Sequence, residues 1–338
     1  MSILVTGGTG FVASHVVRRL AMSGEAVVSV DVTPPDTTLQ RFLADCSDRV
    51  RFVQGDIRDL SLLTQVAREC AVDRIVHAAV ITSPDPALEW KGPSQTLDVN
   101  VMGTVSILEL ARCLPGLRRM VYVSSSGVYG TTKDQDISIS ETYPVDLPTI
   151  YAISKYASEE ITRRYGEMYG LSTVSVRIGA PYGPMDRKTW ARSHASLLRD
   201  IVDHALRGEE IVATQADLDL ARDWTYVDDT AVGVALLASA PTLNHGLYNL
   251  SCGESHRIQE VMDVTAEHVP GASYRVTQNR SEANISQGSG KPRGPLDITR
   301  ISQDVGFSPT HTLRDGLRAF VDWWRVNHLG PGTSGQTI

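Results

Sequence analysis

The sequence predicts an α/β protein built on a doubly wound parallel sheet, with a smaller C-terminal substrate-binding lobe. Two observations carry this prediction. Apolar segments of strand length alternate with amphipathic helical segments through the first half of the chain, which is typical of βαβ units. The first strand also turns abruptly into a helix, through three glycines between residues 7 and 10. We expect the sheet domain to span residues 1–180, the lobe residues 181–328 and a disordered tail residues 329–338.

The glycine turn is the most informative stretch of the first half. Residues 2–5 form a short apolar segment that predicts a buried strand, and from Phe11 the apolar residues return at helical spacing. Gly7 permits a tight turn, and Gly10 lets backbone N–H groups at the helix N-terminus approach a pyrophosphate. Ala13 supplies the third small residue, where helix and strand pack closely. An ordinary strand–helix turn would share this pattern, so the residues that follow must distinguish it from a pyrophosphate-binding turn.

The distinguishing residue is Asp31, which ends the predicted strand 26–30. It stands about twenty residues after the turn, where a carboxylate can bind a ribose 2′-hydroxyl. Turn and carboxylate together predict a Rossmann-type dinucleotide site. We expect NAD rather than NADP, because Asp31 would repel a 2′-phosphate and residues 32–36 offer no arginine to meet it.

Composition limits the classes of function. A net charge of −7 argues against a general nucleic-acid or anionic-membrane binder. No apolar run reaches the roughly 18 residues that a membrane span needs, and we expect no signal peptide before the first strand. The cysteines and histidines are dispersed, without the paired spacing of a metal or redox site, so we expect no metal and free thiols in a reducing cytoplasm. The cysteines are Cys46, Cys70, Cys113 and Cys252.

The remaining elements of the first half follow in order. Predicted strands cover residues 27–30, 51–53, 74–77, 120–124 and 173–178. Predicted helices cover residues 11–22, 39–44, 61–70, 97–113 and 150–169. Ala78 and Ala79 follow the fourth strand, and such small side chains suit either close approach of a cofactor or tight core packing.

Past residue 180 the alternation loosens. Helices are predicted near residues 193–206, 230–239, 258–268 and 313–326, and short strands near 211–213 and 247–250. This half does not repeat the first, so we expect a lobe over the strand ends, with a cleft between the two parts. Whether the chain returns to the core stays open. Residues 278–294 are rich in Gly, Ser and Asn and predict a long surface loop.

Two residues at the start of helix 150–169 could perform acid–base chemistry. Tyr151 and Lys155 are four residues apart, which places phenol and ammonium on one helix face. A nearby cation favours the phenolate, so we expect the pKa of Tyr151 to lie below its usual value of about 10. Tyr129 and Lys133 share the spacing, but Gly130 follows that tyrosine and the segment resembles a loop. We therefore choose Tyr151 as the general acid/base.

Hydroxyl groups end the predicted strand 120–124. Ser124, Ser125 and Ser126 stand about 25 residues before the catalytic tyrosine. At the carboxyl end of a parallel strand, a serine can hydrogen-bond the reacting oxygen of a substrate. A turn rich in small polar residues would look the same in isolation.

Taken in order, these motifs resemble the extended short-chain dehydrogenase/reductases, and more narrowly the NAD-dependent epimerase/dehydratase group that includes the UDP-glucose 4-epimerases. The resemblance runs from residue 2 to about residue 326. It rests on residues 6–10 (Thr-Gly-Gly-Thr-Gly), Asp31, residues 55–57 (Gly-Asp-Ile), residues 124–126, Tyr151 with Lys155, and residues 222–229 (Arg-Asp-Trp-Thr-Tyr-Val-Asp-Asp).

The resemblance implies a role for individual residues. Tyr151 would exchange the substrate hydroxyl proton, Lys155 would tune it and bind the nicotinamide ribose, and Ser125 would orient the substrate. Asn100 would stabilise a helix bend behind the site. Residues implied to bind the cofactor are Gly7, Gly10, Phe11, Val12, Asp31, Asp56, Ile57, Ala78, Ala79, Val80, Asn100, Tyr151, Lys155 and Gly179. Residues implied at the substrate are Ser126, which a one-residue shift would choose instead of Ser125, and Ala180, Arg222 and Arg293.

Three departures from the family pattern concern the substrate. Ser126 and Gly127 stand where dehydratases carry an acidic pair, so 4,6-dehydration is disfavoured. Ala180 replaces the Asn that nucleotide-sugar enzymes usually carry there, and residues 216–221 replace a Gly-Asp-Gly-type turn. Arg222 remains and could pair with a diphosphate, with Arg293 as a weaker candidate.

Three hypotheses follow. The first is an NAD-dependent epimerase of a nucleotide-activated sugar, and the second is an NAD-dependent dehydrogenase of a sugar, sugar acid or small alcohol that uses the same site. In the second, a small substrate would contact Ser126, Trp190, Arg192 or His194. The third, a non-catalytic NAD-binding regulator, would not need Ser125, Tyr151 and Lys155 together.

The resemblance also implies a homodimer. Helices 97–113 and 150–169 of each subunit would form a four-helix interface. The first helix carries an apolar stripe that could serve this interface or cover the sheet, made of Val101, Val105, Leu108 and Ala111.

Overall fold

A computed structural model describes residues 1–82, 89, 92–132, 134–192, 195–285 and 293–328. The strands are β1 (Ser2–Thr6), β2 (Val27–Asp31), β3 (Val50–Gln54), β4 (Val72–His77), β5 (Arg119–Ser125), β6 (Thr173–Ile178), β7 (Ala180–Tyr182), β8 (Ile211–Thr214), β9 (Ala221–Arg222), β10 (Trp224–Tyr226), β11 (Leu247–Leu250), β12 (His256–Arg257) and β13 (Tyr274–Thr277).

The helices alternate with these strands. They are α1 (Phe11–Met22), α2 (Thr37–Phe42), α3 (Leu60–Glu69), α4 (Pro93–Leu97), α5 (Gly103–Arg112), α6 (Ile150–Tyr169), α7 (Leu197–Leu206), α8 (Gln215–Leu218), α9 (Val227–Ser239), α10 (Ile258–His268), α11 (Thr299–Val305) and α12 (Leu313–His328). Short 3₁₀ segments cover Ala44–Arg49, Ser126–Tyr129 and Arg280–Glu282, and a π-helical turn covers Asp98–Met102.

A seven-stranded parallel sheet forms the centre of the protein, in the order β11-β6-β5-β4-β1-β2-β3. The strand order reverses between β1 and β4, so their carboxyl ends diverge into a crevice there. Every residue of β1 and β4 is buried, as expected for central strands covered on both faces. The predicted α/β class and doubly wound sheet are confirmed.

Each face of the sheet is covered by helices with an apolar stripe. On one face α1 and α9 pack together, and their buried residues include Val16, Leu20 and Val234. On the other face α3 and α5 supply Leu63 and Ile107. These two cores fix the sheet and therefore the positions of the side chains at its carboxyl edge.

The second half of the chain contributes both to the sheet and to a separate core. Strand β11 pairs with β6 and becomes the edge strand of the main sheet. Elsewhere α7, α10 and α12 enclose a core of their own, with Ile201, Val261 and Phe320 fully buried. The chain thus returns to the central sheet, which the sequence had left open.

Several helix limits differ from the predicted ones for local reasons. The helix expected at 97–113 begins at Pro93 and passes through the π-helical turn before α5. The helix expected at 39–44 begins earlier because the side chain of Asp36 caps it, accepting a hydrogen bond from the backbone N of Leu39 at 2.9 Å. Likewise α7 begins at Leu197, after the capping residue Ser196. The tail predicted at 329–338 lies outside the described residues.

Within the described residues, no helix combines the length and apolar character needed to cross a membrane. The same residues contain no group of three or more His, Cys, Asp or Glu side chains that could hold a metal ion.

Candidate active site

A cavity of about 1120 Å³ lies at the carboxyl edge of the sheet. Its walls include Gly7 after β1, Ala79 after β4 and Ser125 at the end of β5, while Arg192 and Trp224 close it from the second half of the chain. A pocket of roughly 300–1,000 Å³ accommodates one drug-sized ligand. The cavity is slightly larger than this range, so it is large enough for a dinucleotide.

The glycine turn is built for close approach at this edge. Gly7 has a φ of +75°, and a Cβ there would lie 2.7 Å from the Cα of Ala79, so only glycine fits. The N–H of Gly10 donates to the carbonyl of Gly7 at 2.9 Å and closes the turn. No side chain caps the N-terminus of α1 beyond Gly10, so its backbone donors face the cavity, and this cradle fits a pyrophosphate.

Asp31 lies at the far end of the cavity. Its carboxylate accepts hydrogen bonds from the N–H of Thr9 at 3.2 Å and of Thr33 at 2.9 Å, which fix its orientation beside the turn. Arg187, far away in sequence, forms an ion pair with Asp36 near this end. Arg187 thus places an arginine near this end of the cavity, which residues 32–36 do not supply. That arginine is already paired with Asp36.

The next part of the cavity wall follows β3 and β4. Asp56 and Ile57 line it, although the Asp56 carboxylate already binds Arg58, with Nη2 at 2.6 Å from Oδ2. Ala78 and Ala79 donate their N–H groups to the hydroxyl of Thr6, both at 3.2 Å. Val80, Val12, Phe11, Gly10 and Gly179 also line the cavity, as implied for cofactor-binding residues.

Asn100 is not among the residues that line the cavity. It lies buried in the π-helical turn, where its side chain binds both the N–H and the carbonyl of Ile81, at 2.8 and 3.1 Å. It also donates to the hydroxyl of Ser154 at 3.0 Å. Asn100 therefore ties the helix bend to the helix that carries the tyrosine, and it acts from behind the site.

Ser125, rather than either neighbour, stands beside Tyr151. Both side chains lie around Gly127, whose N–H donates to the Ser125 Oγ at 3.0 Å. Ser124 instead donates to the buried carboxylate of Glu159. Gly127 occupies one acceptor position of Ser125, so the hydroxyl hydrogen can be donated to the phenol of Tyr151 or to another oxygen at the site.

Lys155 lies in the cavity wall and is almost fully buried. Its Nζ donates to the carbonyl of Val123 at 2.7 Å and lies 4.9 Å from the centre of the Tyr122 ring. Burial lowers the pKa of Lys155 to about 7, and the negative charge of Glu159 opposes this. The ammonium is thus sensitive to any nearby change in charge.

The expected pKa direction for Tyr151 is wrong. Burial raises the pKa of Tyr151, outweighing the hydrogen bond from Ser125 and the charges of Arg192 and Arg293, which lower it. As the helical spacing predicts, the phenol of Tyr151 and the ammonium of Lys155 line the same cavity. The spacing does not report how deeply the two groups are buried, and burial has the largest influence on the pKa of both.

Tyr129, the alternative tyrosine, lies in a different place. It is fully buried, its hydroxyl donates to the Oδ1 of Asn249 at 2.7 Å, and its ring lies 4.7 Å from the guanidinium carbon of Arg177. Lys133 lies outside the described residues. Tyr129 is therefore a core residue that links β11 to the segment after β5.

The opposite end of the cavity carries positive charge. Ala180 and Arg222 line it, whereas Arg293 is held behind it, donating to the carbonyl of Gly130 at 2.9 Å and to the hydroxyl of Ser126 at 3.0 Å. Burial lowers the pKa of Arg293 to about 9, repulsion from Arg222 adds to this, and the nearby buried carboxylate of Asp223 opposes it. Two guanidinium groups that repel each other favour an anionic ligand nearby.

Sequence reasoning missed one part of the wall. Residues 187–192 all line the cavity, although only Trp190 and Arg192 were considered, as contacts of a small substrate. The Arg192 guanidinium carbon lies 4.9 Å from the centre of the Phe11 ring, next to the glycine turn. No periodicity marks this segment, so its place follows only from long-range contacts. His194 lies outside the described residues.

Comparisons with known proteins agree with this geometry. The sequence profile of the NAD dependent epimerase/dehydratase family matches residues 3–251. UDP-glucuronate 4-epimerase 1 from Arabidopsis thaliana is 29% identical to this chain, over 100% of the chain and 80% of that protein.

Solved structures give the same result. The structure of dTDP-glucose 4,6-dehydratase from Streptomyces venezuelae with NAD and TYD bound is 30% identical, with a TM-score of 0.78 and coverage of 97% of this chain and 98% of that one. The UDP-glucose 4-epimerase from Thermus thermophilus in complex with NAD is 27% identical, with a TM-score of 0.78 and coverage of 97% and 100%. This chain is accordingly an NAD-dependent enzyme of the extended short-chain dehydrogenase/reductase type, and it belongs to the NAD dependent epimerase/dehydratase family.

Proposed function

We propose that the protein is a 4-epimerase of a nucleotide-activated sugar. One observation carries the proposal: Ser125 and Tyr151 face a single cavity that reaches the glycine turn at one end and Arg222 at the other. A sugar ring placed at the tyrosine would have a dinucleotide on one side and a cationic pocket for its phosphates on the other. The relatives named UDP-glucuronate 4-epimerase and UDP-glucose 4-epimerase support this substrate class.

The site residues have separate tasks in this reaction. NAD, once bound, would supply the hydride acceptor that oxidation of a ring carbon requires. Tyr151 Oη accepts the proton of the ring hydroxyl and later gives it back, and Ser125 Oγ–H holds that oxygen in line. The Lys155 ammonium stabilises the phenolate form that this proton transfer requires. Gly7, Gly10 and Asp31 hold the dinucleotide itself.

The residue after Ser126 argues against water elimination. A Cβ at Gly127 would lie 3.1 Å from the Oγ of Ser125 and 3.6 Å from Cε1 of Tyr151, so an acidic side chain there would crowd the reacting pair. Ser126 is itself engaged by Arg293. Positions 126 and 127 thus offer no carboxylic acid to protonate a leaving hydroxyl, and epimerisation needs none.

Ala180 favours one alternative, the NAD-dependent dehydrogenase of a sugar, sugar acid or small alcohol. A methyl group cannot bind a substrate hydroxyl, so this wall lacks a polar contact that a nucleotide sugar would use. Thermal unfolding in millimolar UDP, GDP or dTDP separates the two. A nucleotide-sugar enzyme gains thermal stability with one of these, since it binds the nucleotide without the sugar. Absence of a shift with all three would leave the dehydrogenase.

We also propose a homodimer formed through α4, α5 and α6. Large apolar side chains are exposed along these helices and the turn between them, including Leu97 (37%), Met102 (52%) and Ile153 (41%). Leu108 and Ala111 of the predicted stripe are buried against the sheet, so they serve the core instead. Light scattering at micromolar concentration should give twice the mass of the chain, and a monomeric mass would contradict the proposal.

Two further proposals follow from the sequence. The division into a sheet domain (1–180) and a part that is mainly substrate lobe (181–328) is supported by the separate core around α7, α10 and α12, while α9 and β11 belong to the sheet domain. The four free cysteines support a cytoplasmic location.

A further inference from the structure

We propose that Arg187 and Trp190 retain bound NAD by holding a strap, residues 187–192, across the adenosine end of the cavity. The inference rests on NAD binding as described above. All six residues of the strap line the cavity, and the strap belongs to the second half of the chain. It nevertheless contacts the first half of the chain at three places around the cavity: the loop after β2, Thr82 after β4 and Phe11 at the start of α1.

Two of these contacts reach the loop after β2, the strand that ends in Asp31. Arg187 forms an ion pair with Asp36, and the indole Nε1 of Trp190 donates to the Oγ1 of Thr33 at 3.1 Å. Thr33 also donates its backbone N–H to Asp31 at 2.9 Å. The strap is thus bonded to the segment that orients the ribose-binding residue.

Two more contacts reach the other two places. The N–H of Thr82, after β4, donates to the carbonyl of Ala191 at 2.7 Å. The guanidinium of Arg192 covers the Phe11 ring, at the first residue of α1. The strap therefore bridges the ends of β2 and β4 and the start of α1.

The base of the strap is fixed, whereas its middle is not. The fully buried Asp186 accepts from Arg192 Nη1 at 2.5 Å and from the N–H of Ser196 at 3.2 Å, which holds both ends together. The side chain of Trp190, in contrast, is 58% exposed. Exposed contacts such as those to Thr33 and Asp36 break at low cost, so the middle can lift and close again.

This arrangement predicts slow release of the dinucleotide. An adenosine bound at Asp31 would leave only after the strap lifts, because Trp190 and Arg187 join the strap to the β2 loop at that part of the cavity. An enzyme that reuses its NAD in place needs such retention, whereas one that consumes NAD must exchange it every turnover.

The test measures release of labelled NAD from the purified, loaded protein during a chase with unlabelled NAD. Each of Arg187→Ala and Trp190→Ala removes one exposed contact and should raise the rate of NAD release several-fold. The double variant should raise this rate at least about tenfold. Asp36→Asn keeps the oxygen that caps α2 and should match Arg187→Ala, with no further gain when the two are combined. Arg275→Ala, which removes a comparable exposed pair with Glu210, leaves the rate unchanged.

Each outcome decides the matter. If the double variant Arg187→Ala/Trp190→Ala releases NAD within twofold of the wild-type rate, the proposed role of the strap is wrong. Effects of Arg187→Ala and Asp36→Asn that multiply also overturn it, since the arginine would then act on NAD directly. Failure of the wild type to bind NAD overturns the proposed function as well. Thermal unfolding midpoints equal to that of the wild type would show that the variants are folded. The NAD release rates are measured without turnover, so a lack of epimerase activity would not change their interpretation.

Discussion

Glu159 and Arg177 form an ion pair inside the protein, one helical turn beyond Lys155. Nη2 of Arg177 lies 2.7 Å from Oε2 of Glu159, and both side chains are only 4% exposed. The same carboxylate accepts a hydrogen bond from the hydroxyl of Ser124, the neighbour of Ser125. The pair thus joins α6, β5 and β6 directly behind the cavity.

Glu159→Gln should destabilise the protein strongly. Removing one charge leaves Arg177 buried without its counter-ion, which costs about 3–5 kcal/mol. Chemical unfolding of the variant measures this loss. Glu160→Gln is the matched control, because its exposed pair with Arg163 should contribute at most about 1 kcal/mol. Equal losses in the two variants would show that the buried pair has no special role.

Tyr151→Phe should abolish turnover while leaving stability nearly unchanged. The lost hydroxyl is the proton acceptor, and acid–base groups contribute about 10²–10⁴ in rate. Tyr129→Phe should do the reverse, since it leaves the buried Oδ1 of Asn249 without its donor at a cost of about 1–3 kcal/mol. Steady-state rates and unfolding curves for both variants give the comparison. A larger rate loss from Tyr129→Phe would mean that the wrong tyrosine was chosen.

Lys155→Met should stabilise the protein, and more so at neutral than at alkaline pH. Burial lowers the pKa of Lys155 from 10.5 to about 7 in the folded state. Between these values the unfolded chain binds more protons than the folded one, so the wild type gains stability as pH rises through this range. The advantage of the variant is therefore largest near pH 7 and shrinks toward pH 10.

Unfolding free energies of both proteins at these two pH values measure the effect. Lys188→Met, at an exposed position, should show no such pH dependence. An advantage of Lys155→Met that is the same at both pH values would contradict the burial of a charged lysine.

Arg222→Ala should weaken binding of UDP about ten- to a hundredfold, because charge-assisted hydrogen bonds to phosphate contribute about 1.5–3 kcal/mol. The loss should appear in binding rather than in kcat, since the phosphates do not change during the reaction. Calorimetry with UDP measures it, with Arg257→Ala on the neighbouring strand β12 as control. Unchanged affinity in Arg222→Ala would place the phosphates elsewhere.

The fold and one half of the site could be predicted from local sequence patterns. The turn at Gly7, the carboxylate of Asp31 and the pair Tyr151 and Lys155 each depend on residues close in sequence, whose geometry a strand or helix fixes. The structure brings all of them to one cavity.

Long-range packing determined the rest. Nothing in residues 247–250 distinguishes an edge strand of the main sheet from a strand of the lobe, because both are short and apolar. The direction of the Tyr151 pKa depends on how deeply the phenol is buried, which spacing does not report. The contact of Trp190 with Thr33 joins residues 157 positions apart, and neither has a periodic pattern.

The most direct test of the account follows deuterium through the reaction. UDP-glucose or UDP-glucuronate labelled with deuterium at C4 is incubated with the purified enzyme and excess NAD, and the products are analysed by NMR. A 4-epimerase that reuses its NAD should give the 4-epimer with deuterium fully retained at C4, because the hydride is taken and returned within one closed site. Accumulation of deuterated NADH together with an oxidised sugar would contradict it and identify a dehydrogenase.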